Sequence, residues 1–274
     1  MSKGLAIAGF LLGCLCANSR AAETPGTAEL VADVESIQPG TPFMAGVLIR
    51  MPEQWHTYWL NSGDSGMPPE LKWQLPEGFT AGPILWPAPK MFDEPPVTSF
   101  GYDHEVLLLR EIRPPAGLAV GRDYTLEVNA SWLICKEVCI PKTGRLQMTL
   151  PARADPPVRS AEWKSIFDSA KRAIPIRDSQ WKFRARSDKS GLSLCVIPPL
   201  GVEAGNLPKA EFFPAQPSLV EYGPQTWTRA GDEYCLRMKR ISGNEPLPAR
   251  LEGVLVVPQE KGTKALDVSA ALER

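Results

Sequence analysis

Ser131-Trp-Leu-Ile-Cys-Lys-Glu-Val-Cys-Ile-Pro141 carries two cysteines, Cys135 and Cys139, with three residues between them. The segment leading into it alternates. Tyr124, Leu126, Val128, Ala130, Trp132 and Ile134 are apolar or aromatic, while Thr125, Glu127, Asn129 and Ser131 are polar. Period two is the mark of a half-buried strand. Beyond the cysteines, Leu146, Met148 and Leu150 alternate with Arg145, Gln147 and Thr149. The pattern predicts two antiparallel strands with the cysteines at their turn. Facing residues of such a pair lie about 4.5–5.5 Å apart at Cα, within the span a disulfide needs. A turn made of Lys136, Glu137 and Val138 therefore brings the two sulfurs into bonding reach. The alternation puts Cys135 on the polar face with Ser131, so at least one sulfur is expected to be open to solvent.

Working outward, 274 residues suffice for one large or two ordinary domains. Apolar content of 43% and charged content of 22% fit a globular protein. A net charge of −1 gives no electrostatic footprint for nucleic acid or an anionic membrane. The 28 prolines suit many strand-to-strand turns and argue against a helical protein. Lys3 followed by the apolar run Gly4–Gly13 reads as an export signal over residues 1–22. Leu11-Leu-Gly-Cys14 offers a lipid-anchored end at Cys14, and a small-residue site near Ala17–Ala22 offers simple cleavage, which is favoured. No later apolar run approaches the roughly 18 residues of a spanning helix, so no transmembrane span is expected in the mature chain. Export implies an oxidising compartment, where the four remaining cysteines, Cys135, Cys139, Cys195 and Cys235, can form two bridges.

In chain order, Ala28–Ser36 and Phe43–Met51 read as strands, Trp55–Trp59 as an aromatic β-prone run, and Asn61–Pro69 as a loop. Leu71–Leu75 is a short strand, Phe79–Trp86 a broken one, Pro87–Pro96 a loop and Glu105–Ile112 a strand. Pro151–Arg159 carries three prolines and marks a boundary between residues 23–153 and 158–274. Ser160 is placed to cap a helix with Trp163, Ile166, Phe167, Ala170 and Ile174 on one face. Trp181–Ser187, Leu192–Ile197, Lys209–Phe213, Ser218–Tyr222, Glu233–Lys239 and Arg250–Val257 follow as short strands. The tail after Gln259 gives only weak signals. The expected fold is all-β, with two β-sandwich domains and one short helix at the start of the second.

Spacing alone leaves two readings of Cys135 and Cys139 open, a reversible dithiol and a structural staple. A bridge closing about five residues stabilises by only about 2 kcal/mol in the chain-entropy model, against about 4 kcal/mol for one closing about forty. Cys195 and Cys235 each lie inside a strand pattern, and a buried structural bridge between strands is the ordinary expectation for them. His56 and His104 are the only histidines. With Cys135 and Cys139 they offer a two-thiolate, two-imidazole set suited to Cu(I) or Zn(II), but their scattered positions favour two surface or satisfied histidines. Neither a phosphate-binding glycine loop nor a Gly-x-Ser-x-Gly elbow occurs.

Four separate stretches then agree: Trp55-His-Thr-Tyr-Trp-Leu-Asn-Ser-Gly-Asp-Ser-Gly-Met-Pro-Pro69, Ile84-Leu-Trp-Pro-Ala-Pro89, Phe100-Gly-Tyr102 and Trp132-Leu-Ile-Cys-Lys-Glu-Val-Cys-Ile-Pro141. Over roughly Phe43 to Pro151 the chain resembles the periplasmic N-terminal domain of the DsbD/ScsB-like thiol:disulfide interchange family. The resemblance implies an immunoglobulin-like β-sandwich first domain with a redox-active pair at Cys135 and Cys139. It also implies thioredoxin-like periplasmic oxidoreductases as partners, and no cofactor. Full-length family members continue into a membrane domain and a thioredoxin-like domain. Neither pattern is present here, so the implied reductant is a separate membrane electron donor. The alternatives are a periplasmic copper-tolerance module using the same sulfurs and a structural interaction domain. Intact mass of the periplasmic protein checks the export reading: the expected chain starts between Cys14 and Glu23, and a full-length mass in the cytoplasm contradicts it.

Overall fold

The computed structural model describes residues 25–189, 191–202, 205, 207–241 and 246–274. The export signal over residues 1–22 and Cys14 lie outside these residues. The chain is all-β, with an immunoglobulin-like first unit, a second β-domain and one α-helix among the described residues.

The first unit is two sheets face to face. Strands β1 (Thr27–Ala32), β2 (Phe43–Arg50), β5 (Thr80–Ala81) and β8 (Glu105–Arg113) form one sheet in the order β1-β2-β8-β5. The other runs β10 (Cys139–Pro151), β9 (Asp123–Cys135), β3 (His56–Gly63), β7 (Val97–Asp103), β6 (Lys90–Glu94), with β4 (Glu70–Gln74) also paired to β9. Ala45, Val47, Ile49, Leu108 and Ile112 from the first sheet meet Trp59, Phe100, Leu126, Val128, Trp132 and Ile134 from the second. These are the inward positions of the alternation expected for β9, so burial follows the sequence pattern there.

The first sheet is apolar on both faces. Val31, Leu48, Leu107 and Leu109 point away from the sandwich core and pack on α1 (Lys164–Ala173) through Phe167 and Ala170. Two-sided burial explains the unbroken apolar runs Val47–Ile49 and Val106–Leu109. The helix stands at the head of the second half of the sequence, yet it covers the first sheet. Ser160 does not cap it: the N-cap is Trp163, without a side-chain capping bond. Ser160 N instead donates to Asp33 O at 3.0 Å. The buried Asp33 carboxylate is paired with Arg159 and, at 2.9 Å, with Lys171. Two cations on one buried carboxylate hold both the linker and the helix on the first unit.

The second domain follows one path of seven strands. In chain order they are β11 (Lys182–Asp188), β12 (Gly191–Ile197), β13 (Glu211–Pro214), β14 (Trp227–Ala230), β15 (Glu233–Lys239), β16 (Arg250–Pro258) and β17 (Thr263–Glu273). Their spatial order is β13-β16-β17-β11-β12-β15-β14, antiparallel except where β11 meets β17. Leu192, Leu194, Val196, Leu236, Leu255 and Val268 share one core. The two domains meet at Phe213, which belongs to the core of the first unit. Its ring is T-shaped to both Phe100 and Trp59, with centroids 5.2 and 6.3 Å away. Tyr222 packs on Phe100 at 5.0 Å. Asn61, 1% exposed, donates to Pro214 O at 2.7 Å.

Several local readings change. The expected loop Pro87–Pro96 holds strand β6 and the turn into β7. Ser218–Tyr222 contributes only the isolated bridge of Val220 to Arg240. The weakly patterned tail contains β17, a strand internal to the second sheet. Truncation of Phe213 to alanine is expected to cost about 3–5 kcal/mol, as for a large buried aromatic. Equilibrium denaturation checks this, and an unchanged midpoint would show that the domain junction contributes nothing.

Candidate functional site

The β9–β10 hairpin sets Cys139 directly opposite Cys135 in an otherwise regular ladder. Their Cα atoms are 4.1 Å apart and the sulfurs are bonded. Lys136 N donates to Val138 O at 3.3 Å across the three-residue turn. The two sulfurs have opposite surroundings. Cys139 is exposed, whereas Cys135 is 2% exposed. Cys135 does share a face with Ser131, as the alternation requires, but that face is not open at this end. Strand β3 runs beside it and pairs His56 with Cys135. Thr57 Oγ1 donates to Leu133 O at 2.8 Å and ties β3 to β9 at the same level.

From β3, Tyr58 reaches both sulfurs. Its hydroxyl donates to Cys135 Sγ at 3.0 Å and lies 3.5 Å from Cys139 Sγ. Burial raises the phenol's pKa above its usual 10.0, Glu94 adds to this, and a hydrogen bond with Ser65 opposes it. Tyr58 therefore stays protonated at neutral pH and remains a donor. Gly66, in the loop of residues 64–69, packs against the Tyr58 ring. A Cβ on Gly66 would sit 2.1 Å from the ring, and Gly66 has φ of +83°, so both contact and backbone require glycine. Asp64 fastens this loop to β7: Asp64 N donates to Thr98 O at 2.8 Å, and Thr98 N donates to Asp64 Oδ2 at 2.9 Å.

His56 is buried, stacked on Phe92 of β6 at 4.7 Å and edge-on to Tyr58 at 5.3 Å. Burial lowers its pKa from 6.5, against an opposing pull from Glu94, so the ring is neutral at pH 7. His104 sits apart, in the turn between β7 and β8 with φ of +57°, and its carbonyl accepts from Met51 N at 2.6 Å. The structure thus brings His56 to the cysteine pair and leaves His104 out. Tyr58 and Phe92 were not anticipated. Tyr58 lay in an aromatic run read only as strand, and Phe92 in a segment read as loop. The single available signal for Tyr58 was its place two residues after His56, on the same face of a strand.

Cys195 and Cys235 are also bonded and also directly opposed, with Cα atoms 4.1 Å apart. The expected buried position is only half met. Leu192, Leu194 and Val196 fill the core, so Cys195 between them points to the outer face; it is 8% exposed and Cys235 is half-buried. Among the described residues, Cys195, Glu233 and Cys235 form a cluster whose sulfurs and carboxylate lie within 4.8 Å of one another.

Residues 27–151 match the family described as "Thiol:disulfide interchange protein DsbD, N-terminal". The crystal structure of the N-terminal periplasmic domain of ScsB from Proteus mirabilis superposes with a TM-score of 0.65. That match is 18% identical and covers 90% of this chain and 94% of that one, so it bears on the two-domain fold. Spo0M, a sporulation control protein from Bacillus subtilis, is 6% identical, covers 90% of this chain and 91% of its own, and reaches only 0.23. A comparison with curated protein sequences gives no match. Among the described residues, no helix is long and apolar enough to cross a membrane. Residues 27–151 of this chain thus match a domain of the DsbD N-terminal kind, within a two-domain fold like that of the ScsB segment.

Proposed function

We propose that the first domain, residues 23–153, is a periplasmic thiol–disulfide exchange module whose working residues are Cys135 and Cys139, with residues 158–274 as a second domain. The observation that carries this reading is the asymmetry of the pair: one cysteine is exposed, the other buried beneath a tyrosine hydroxyl. A partner thiolate attacks Cys139 Sγ. The Cys135–Cys139 bond breaks, and Cys135 leaves with the electron pair as a thiolate that accepts the Tyr58 hydrogen bond. A second partner thiolate then attacks the mixed disulfide and releases Cys139. One partner dithiol is oxidised and one disulfide is reduced, and the reverse sequence passes electrons on. Tyr58 contributes most at the intermediate, because a hydrogen bond to a charged group is worth about 1.5–3 kcal/mol, more than one between neutral groups.

The match of residues 27–151 supports thioredoxin-like oxidoreductases as partners. Export through residues 1–22 supports the periplasm, and the exchange itself needs no cofactor.

Two variants test the order of events. Cys135→Ala leaves the exposed sulfur and is expected to trap a mixed disulfide with a thioredoxin-like partner. Cys139→Ala leaves only the buried one and should trap at least about tenfold less. Equal trapping by both variants would overturn the assignment. A pair that is readily reduced, never traps a partner and binds one Cu(I) tightly would replace exchange by copper handling. Tyr58→Phe should raise the pKa of the Cys135 thiol by roughly one unit or more, because the lost bond is one to a charged group. The pH dependence of its alkylation in the reduced protein measures this, and an unmoved profile would remove Tyr58 from the chemistry.

A further inference from the structure

The second disulfide is not walled into the core of its domain. Leu192, Leu194, Val196 and Leu236 fill that core from the inner face, and the sulfurs of Cys195 and Cys235 stand on the other side. Strands β11 and β15 flank β12. Arg184 of β11 is the register partner of Cys195, and Cys235 of β15 is its partner on the opposite side. Glu233 lies two residues before Cys235, on the same face of β15. Arg184 Nη1 donates to Glu233 Oε1 at 2.6 Å. To reach that carboxylate the arginine must cross β12 at the level of Cys195. The ion pair therefore spans the outer face at the disulfide, with Arg184 half exposed, and the carboxylate lies within 4.8 Å of both sulfurs.

We propose that Cys195–Cys235, with Arg184 and Glu233, is a second thiol–disulfide exchange centre, independent of Cys135 and Cys139. Its co-reactant is an external dithiol. A thiolate of that dithiol attacks Cys235 Sγ, the more accessible sulfur. The S–S bond breaks, and Cys195 takes the electron pair as a thiolate at the level where Arg184 crosses β12; the guanidinium favours the anion and the Glu233 carboxylate paired with it opposes it. The second external thiolate attacks the mixed disulfide and frees Cys235. The external dithiol becomes a disulfide, and its two protons end on Cys195 and Cys235. In the oxidising direction the same atoms run backwards, and Glu233 offers a base for the thiol proton. The bridge also closes a long loop between its cysteines, so its reduction loosens the second domain while the β12–β15 ladder remains.

The test uses the full chain with Cys135→Ser and Cys139→Ser, so that its outcome does not depend on the first pair. In a graded glutathione redox buffer, mass spectrometry after alkylation is expected to find Cys195–Cys235 reversibly reduced. In the same background, Cys195→Ala should collect glutathione on Cys235 at least about tenfold faster than Cys235→Ala collects it on Cys195. Arg184→Gln should slow reduction about threefold and shift its pH profile, a change that loss of folding stability alone does not produce. The same titration on the unsubstituted chain guards against a background that fails to fold. A bridge that stays oxidised in the buffer that reduces Cys135–Cys139 overturns the proposal and leaves a staple. A reduced pair that instead holds one Zn(II) per chain, weakened by Glu233→Gln, overturns it in favour of a metal site.

Discussion

The 3.0 Å hydrogen bond from Tyr58 to Cys135 Sγ exists because strand β3 is fixed from three directions. Along one edge it pairs with β9 at His56 and is tied there by Thr57. Along the other it pairs with β7 until the register slips between Tyr58 and Gly63. In that interval it turns Trp59 and Asn61 toward the second domain, where Phe213 and Pro214 receive them. A short strand held this way has no freedom to slide, and a slide of one residue would move Tyr58 to the opposite face. The position of one hydroxyl thus depends on both domains.

Two cross-strand disulfides in one chain separate the effect of geometry from the effect of surroundings. Both join directly opposed residues of antiparallel strands with the same Cα separation. Cys135–Cys139 ends a hairpin and is covered on one side by aromatic side chains, with a neutral histidine and a phenol as its polar neighbours. Cys195–Cys235 lies within a sheet beside a guanidinium and a carboxylate. A thiolate in the first setting is met by a hydrogen bond, and in the second by a guanidinium and a carboxylate of opposite effect, both of which salt screens near the surface.

Burial on two faces explains why a single α-helix appears among the otherwise β-structured described residues. A sheet whose outer face carries Val31, Leu48, Leu107 and Leu109 needs a cover, because that face left in water forfeits about 25 cal/mol for every Å² of apolar surface. The amphipathic stripe of α1 supplies it. Asp33 then fixes where the helix sits, through Arg159 on the approach and Lys171 within it.

The alternation from Tyr124 to Ile134 and the three-residue turn were enough, from the sequence by itself, to place Cys135 and Cys139 opposite each other, because side-chain period and turn length are local properties. The motifs around Trp55, Phe100 and Trp132 carried the family. Strand β6 was hidden, because Pro95 and Pro96 make its hairpin turn read as loop. Strand β17 was hidden as well, because the small residues Ala265 and Ala270 weaken its pattern and its burial comes from neighbours distant in sequence. Only the tertiary structure decided which sulfur is exposed, that Tyr58 touches both, that α1 belongs against the first sheet, and that Arg184 spans the second disulfide. Each of these is set by which strand lies alongside which, and such pairings join residues tens of positions apart that no local period can connect.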